Sequence, residues 1–92
     1  MIVPYDKVSQ IIEHYGCNHQ RHKAAEELSE LQTLILQDAN QNGKVSTSRI
    51  VEEIADVYVM LAQLCVIYEV DSRDIQPVID YKICRTLNRI NE

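Results

Sequence analysis

Glu52-Glu53-Ile54-Ala55-Asp56-Val57-Tyr58-Val59-Met60-Leu61-Ala62-Gln63-Leu64-Cys65-Val66-Ile67-Tyr68 is the stretch that decides the fold. From Val57 to Tyr68 only Gln63 interrupts twelve otherwise apolar or aromatic residues. A membrane span needs roughly 18–20 such residues, so this run predicts a buried helix. Its stripe reads Ile50, Ile54, Val57, Leu61 and Leu64, a helical period. Thr47 or Ser48 is the expected N-cap, and the helix is expected to reach about Tyr68. A helix that is apolar nearly all round needs covering on every side, which a chain of 92 residues can hardly supply. The expected state is therefore a homo-oligomer, a dimer or a tetramer.

Working outward, Asn42-Gly43 is the strongest turn signal in the sequence. Before it, Ala24, Leu28, Leu31 and Ile35 predict a second helix from about His19 to Ala39. Gly16-Cys17-Asn18 reads as a break, and Asp6 to Tyr15 as a short leading helix with Val8, Ile11 and Ile12 on one side. After the central run, Asp71 or Ser72 is expected to cap a last helix reaching Ile90. Pro77 is expected in its first turn, because an interior proline breaks a helix. The fold class is thus all-α over residues 1–92 as one domain: three main helices plus a short N-terminal helix. Assembly with a partner subunit would complete units of the four-helix-bundle type.

Composition narrows the function. Fourteen acidic against nine basic residues give a net charge of −5, which disfavours binding to polymeric nucleic acid. No signal peptide or membrane span is legible. Three cysteines without a CxxC pair predict a reducing, cytoplasmic setting.

The acids are not spread evenly. Six of the 14 fall in two motifs, Glu26-Glu27-Leu28-Ser29-Glu30 and Glu52-Glu53-Ile54-Ala55-Asp56, leaving eight against nine bases elsewhere. Glu27 and Glu30 are three apart, as are Glu53 and Asp56, so each pair shares a helical face. Both pairs sit beside the expected apolar stripes, where carboxylates repel one another unless a cation joins them. Two antiparallel helices would close these pairs into a four-carboxylate cage suited to Mg²⁺, or Mn²⁺ as a substitute. A di-iron bundle would want Glu-x-x-His, and no glutamate here has a histidine three residues later.

Glu-Glu-x-x-Glu, 22 residues, then Glu-x-x-Asp resembles the signature of the MazG-like nucleotide pyrophosphohydrolases of the all-α NTP pyrophosphatase superfamily. The resemblance runs from about His19 to Arg89 and includes the phrase Glu-Glu-Ile-Ala-Asp-Val and the basic last helix. It implies that Glu27, Glu30, Glu53 and Asp56 bind Mg²⁺, with Glu26 behind them or on a second metal. It also implies hydrolysis of a nucleoside triphosphate to the monophosphate and pyrophosphate. The chain departs from the family in having no Trp or Phe to stack a base, and its N-terminal helix is short.

The chemistry is consistent with those residues. Water attack at an α-phosphorus needs a metal and a base, and Glu26 or Glu30 is the candidate base. Lys82, Arg85 and Arg89 form a basic face on the last helix for the phosphates, although late basic residues also simply meet the helix dipole. Lys23 is a further phosphate candidate, and Tyr81 the base candidate, while Tyr58 and Tyr68 read as packing residues. His19-Gln20, at a helix start, is a possible neighbour of the nucleotide, since helix N-termini attract phosphate. His14, Cys17, His19 and His22 match no zinc-finger spacing and read as local or surface residues. The competing function is a non-catalytic helical interaction or regulatory module.

Overall fold

Gly16 divides the first half of the molecule. In the computed structural model, which describes residues 3–92, α1 (Tyr5–Tyr15) ends and α2 (Cys17–Asn40) begins on either side of this one residue. Its N–H donates to the Ile12 carbonyl at 2.7 Å, and its carbonyl accepts from the Gln20 N–H at 3.1 Å. Gly16 thus closes one helix and opens the next, so Cys17 and Asn18 are helical rather than part of a three-residue break. Its backbone, at φ 91° and ψ 151°, lies in a region that only glycine enters readily.

α2 ends in a left-handed turn, with Asn42 at φ 58° and Gly43 at φ 77°. The Gly43 N–H donates to the Asp38 carbonyl, and the Asp38 side chain accepts from the Val45 N–H at 3.1 Å. α3 (Thr47–Ile67) follows. Its cap is Ser46, not Thr47 or Ser48: Ser46 has the extended backbone a cap requires, and its Oγ accepts from the Arg49 N–H. After Glu69, at φ 55°, Asp71 caps α4 (Ser72–Ile90) by accepting from the Arg73 N–H at 2.8 Å. Hydrogen bonds from the Arg73 guanidinium, then from its backbone, hold the Asp71 carboxyl down at about 2. That cap starts the helix five residues ahead of Pro77, placing the proline in the second turn rather than the first. There it forfeits a bond to the Arg73 carbonyl. Among the described residues there are four helices and no strand, and no helix is long and apolar enough to cross a membrane.

α1, α2 and α3 pack together, with α2 against α3 the main seam. The buried apolar residues are Val8, Ile12, Ala24, Leu34, Val57 and Met60. Glu27, Gln20 and Gln63 are buried with them. This corrects the expected stripes. Leu28 and Ile35 on α2, and Ile54 and Leu61 on α3, are exposed, as are Tyr58 and Tyr68. At 100° per residue these four aliphatic residues lie about 65–120° around their helices from the seam. Glu27, Gln20 and Gln63 share the seam with Ala24, Leu34, Val57 and Met60, while Leu28, Ile35, Ile54 and Leu61 face outward.

α4 contributes no buried residue. The radius of gyration is 15.9 Å, against about 12 Å for a compact chain of this length. The accessible surface is 7183 Å², whereas a monomer of 10.6 kDa is expected to expose about 5,500 Å².

Gly16→Ala isolates the demand of the α1–α2 junction. A Cβ there would meet nothing within 4 Å, so the whole penalty is conformational. The expected loss is about 1–3 kcal/mol, seen as a lower midpoint in urea with an unchanged slope. An unchanged midpoint would contradict the left-handed backbone at this residue.

Candidate metal centre

Antiparallel packing of α2 on α3 brings the first half of one motif onto the other. One carboxylate oxygen from each of Glu27, Glu30 and Glu53 lies within 4.8 Å of the other two. Glu27 is 8% exposed, Glu53 half-buried and Glu30 at the surface. Spacing explains the gradient: Glu27 is seven residues from both Gln20 and Leu34, on the seam, while Glu30 stands at its edge. The described residues contain no other such convergence of three or more histidine, cysteine or acidic side chains.

Glu27 and Glu53 each bury one oxygen, Oε2, with no hydrogen-bond partner. An unmet bond at a buried polar atom costs about 1–3 kcal/mol, and more for an ion. One cation partly offsets this: Lys23 Nζ lies 3.2 Å from Glu27 Oε1 and 3.6 Å from Glu26. The hydrogen bond to Glu27, then the charge of Glu26, raises the Lys23 ammonium above its ordinary value. The charge of Glu27 is the main reason the Glu30 carboxyl is also raised, with smaller contributions from desolvation, a hydrogen bond to Glu27, and the charges of Glu53 and Glu26. Two buried oxygens without donors and a carboxyl forced upward by its neighbours describe a place short of positive charge. An all-oxygen donor set of this kind fits a hard divalent cation.

A cleft of about 250 Å³ opens beside the carboxylates, lined by Ser29, Glu30, Thr33, Leu34, Gln37, Arg49 and Glu53. Arg49 supplies it with a cation that the motif spacing did not indicate. Its position one turn before Glu53 is the only sequence signal that could have found it. Asp56, one turn after Glu53, is exposed and stands outside the three-oxygen cluster.

The structure does not bring the basic last helix to this cluster. Lys82, Arg85 and Arg89 are exposed on α4, which packs its length on none of the other helices. The Arg85 guanidinium lies 5.7 Å from the centre of the Tyr81 ring, and these two line a shallow groove with Arg89, while Lys82 lines a neighbouring one. His14 and His19 both engage Tyr15, edge-on at 4.6 Å and stacked at 5.1 Å respectively.

No protein-family model matches the chain, and no curated protein or solved structure matches it.

The charge shortage has a pH signature. A carboxyl whose folded value is raised binds its proton more tightly in the folded state, so stability is present below 4.5 and is lost as pH rises through the raised value. Asp71 acts oppositely: its contribution is present above 3.8 and is lost as pH falls toward about 2. Urea midpoints of the metal-free protein should therefore fall between pH 4.5 and neutrality. In Glu27→Gln, which removes the principal charge acting on Glu30, that decline should flatten. An equal decline in both proteins would mean that Glu30 does not feel Glu27.

Proposed function

We propose that this chain is a Mg²⁺-dependent nucleoside triphosphate pyrophosphohydrolase of the MazG-like type, converting a (deoxy)nucleoside triphosphate to the monophosphate and pyrophosphate. The observation that carries it is the pair of buried, partnerless carboxylate oxygens of Glu27 and Glu53 on facing helices, with Glu30 beside them. Glu27, Glu30 and Glu53 hold the ion, and Asp56, exposed one turn after Glu53, is the fourth ligand in this reading. Mg²⁺ would supply charge neutralisation at the phosphate oxygens, and Mn²⁺ is the expected substitute.

The rest is done by the protein's own groups. Glu30 is the better placed of the two candidate bases. Its carboxylate lines the cleft at the exposed edge of the cluster, whereas Glu26 is engaged by Lys23. Lys23 and Arg49 meet the phosphates from within the chain. Lys82, Arg85 and Arg89 serve a site across a subunit interface, because α4 does not pack along the helices that carry its own chain's carboxylates. Tyr81, already beside Arg85, is the base-facing ring of that helix.

Homo-oligomerisation, as a dimer or a tetramer, belongs to the same reading. The surface exceeds that of a compact monomer by about 1,700 Å², more than the roughly 800 Å² per partner of a standard interface. The exposed apolar residues Leu28, Ile35, Ile54, Tyr58 and Leu61 are what a second copy would cover into four-helix units. Free thiols at Cys17, Cys65 and Cys84 suit a reducing, cytoplasmic setting. The second reading, a non-catalytic interaction module, draws on α4, whose exposed Ile79, Ile83, Leu87 and Ile90 recur at helical spacing.

Incubation with each common nucleoside triphosphate and Mg²⁺, followed by product separation, tests the proposal. Monophosphate and pyrophosphate should appear in equal amounts, with Glu53→Gln slower by about 100-fold or more. Arg85→Ala should raise KM more than it lowers kcat. No turnover of any nucleotide would favour the interaction module, and full activity in Glu53→Gln would remove the metal site from the mechanism.

A further inference from the structure

Two buried glutamines in the α2/α3 seam take no part in the carboxylate cluster. Gln20 and Gln63 are 4% and 2% exposed, and Gln20 Nε2 donates to Gln63 Oε1 at 2.7 Å. Beyond Gln63, its Nε2 lies 3.5 Å from Met60 Sδ. Beyond Gln20, its Oε1 lies 2.7 Å from His19 Nδ1.

The direction of this chain is set at one end. A thioether sulfur has no proton to give, so the group of Gln63 that faces Met60 is the amide N–H. Its carbonyl must then face Gln20, which answers with its own N–H and turns its carbonyl to the imidazole. A carbonyl only accepts, so His19 Nδ1 carries the proton. Reversing both amides would set the Gln63 carbonyl against the sulfur, acceptor against acceptor, in a buried seam.

We infer that the Met60–Gln63–Gln20 chain fixes His19 as its Nδ1–H tautomer, leaving Nε2 of an exposed ring to accept an N–H or O–H from the nucleoside part of a nucleotide. Stacking on Tyr15, with planes 15° apart, holds the ring's orientation. His19, Lys23 and Glu27 recur every four residues, so the imidazole lies on the same side of α2 as the carboxylates, about 12 Å along the axis. Phosphates ionised at neutral pH offer acceptors and almost no protons, so an acceptor at His19 suits the nucleoside end rather than the phosphates. Gln20 and Gln63 are positioning residues here, and His19 makes the contact. The ligand half of the inference rests on the nucleotide reading proposed above; the tautomer half does not.

Long-range ¹⁵N–¹H spectra of the histidine rings, recorded on the ligand-free chain at a pH where the ring is neutral, read the tautomer directly. His19 should show a protonated Nδ1 and an unprotonated Nε2. Met60→Leu keeps the volume and removes the sulfur acceptor, so its His19 should become a mixture of tautomers. A protonated Nε2 in the parent protein, or an unchanged tautomer in Met60→Leu, would overturn the chain's direction.

For the ligand half, His19→Phe retains the stack and loses the acceptor. Calorimetry should show ATP–Mg²⁺ binding weakened about tenfold and inorganic tripolyphosphate–Mg²⁺ binding unchanged. Equal weakening of both, or of neither, would overturn the nucleoside contact. Absence of binding by either in the parent protein would instead overturn the nucleotide reading, with the tautomer result still standing.

Discussion

Two like-charged carboxylates face one another across a helical seam, and the organisation of the molecule follows from that burden. Glu27 and Glu53 come from different helices, each with an oxygen sealed from solvent and from any donor. Removing an ionised carboxylate from water is unfavourable unless charge or hydrogen bonds replace the lost hydration. Lys23 replaces part of it for Glu27. The remainder is an unmet demand for positive charge, located where α2 and α3 must pack for the three-helix unit to exist. A divalent cation would convert the weakest point of the fold into a link between its two longest helices.

Giving the seam to polar groups has a consequence on the outside. Among the described residues only six apolar side chains are buried, while Leu28, Ile35, Ile54, Tyr58 and Leu61 remain at the surface. The metal reading and the oligomer reading therefore share one cause. Each helix carries two candidate faces, and the one holding the carboxylates and amides is turned inward. α4 is the extreme case, capped by Asp71 yet with no buried residue.

Much of the fold was legible in the sequence. Helical periodicity, the Gly16 and Asn42-Gly43 interruptions, and Asp71 ahead of the last helix located the four helices to within a few residues. Ser46 was missed in favour of the neighbouring Thr47 and Ser48, since three adjacent hydroxyl residues have similar capping propensity and only backbone geometry chooses among them. Of the expected stripes Ala24 and Val57 are buried while Leu28, Ile35, Ile54 and Leu61 are exposed, because periodicity identifies an apolar stripe without saying whether its own chain or another molecule covers it. The convergence of Glu27, Glu30 and Glu53 was legible because i, i+3 spacing and an antiparallel connection suffice to bring them together. Arg49, Gln20 and Gln63 were not, because their value depends on long-range pairing: the two glutamines are 43 residues apart in the chain.

The central claim is that the Glu27–Glu30–Glu53 cluster is an ion site rather than a patch of surface acid. Calorimetric titration of the metal-free protein with MgCl₂, at fixed ionic strength, addresses it most directly. The account predicts saturable binding that disappears in Glu53→Gln and persists in Glu69→Gln, which alters an acid outside the two motifs. Heat that never saturates, or a saturable site indifferent to Glu53, would contradict it.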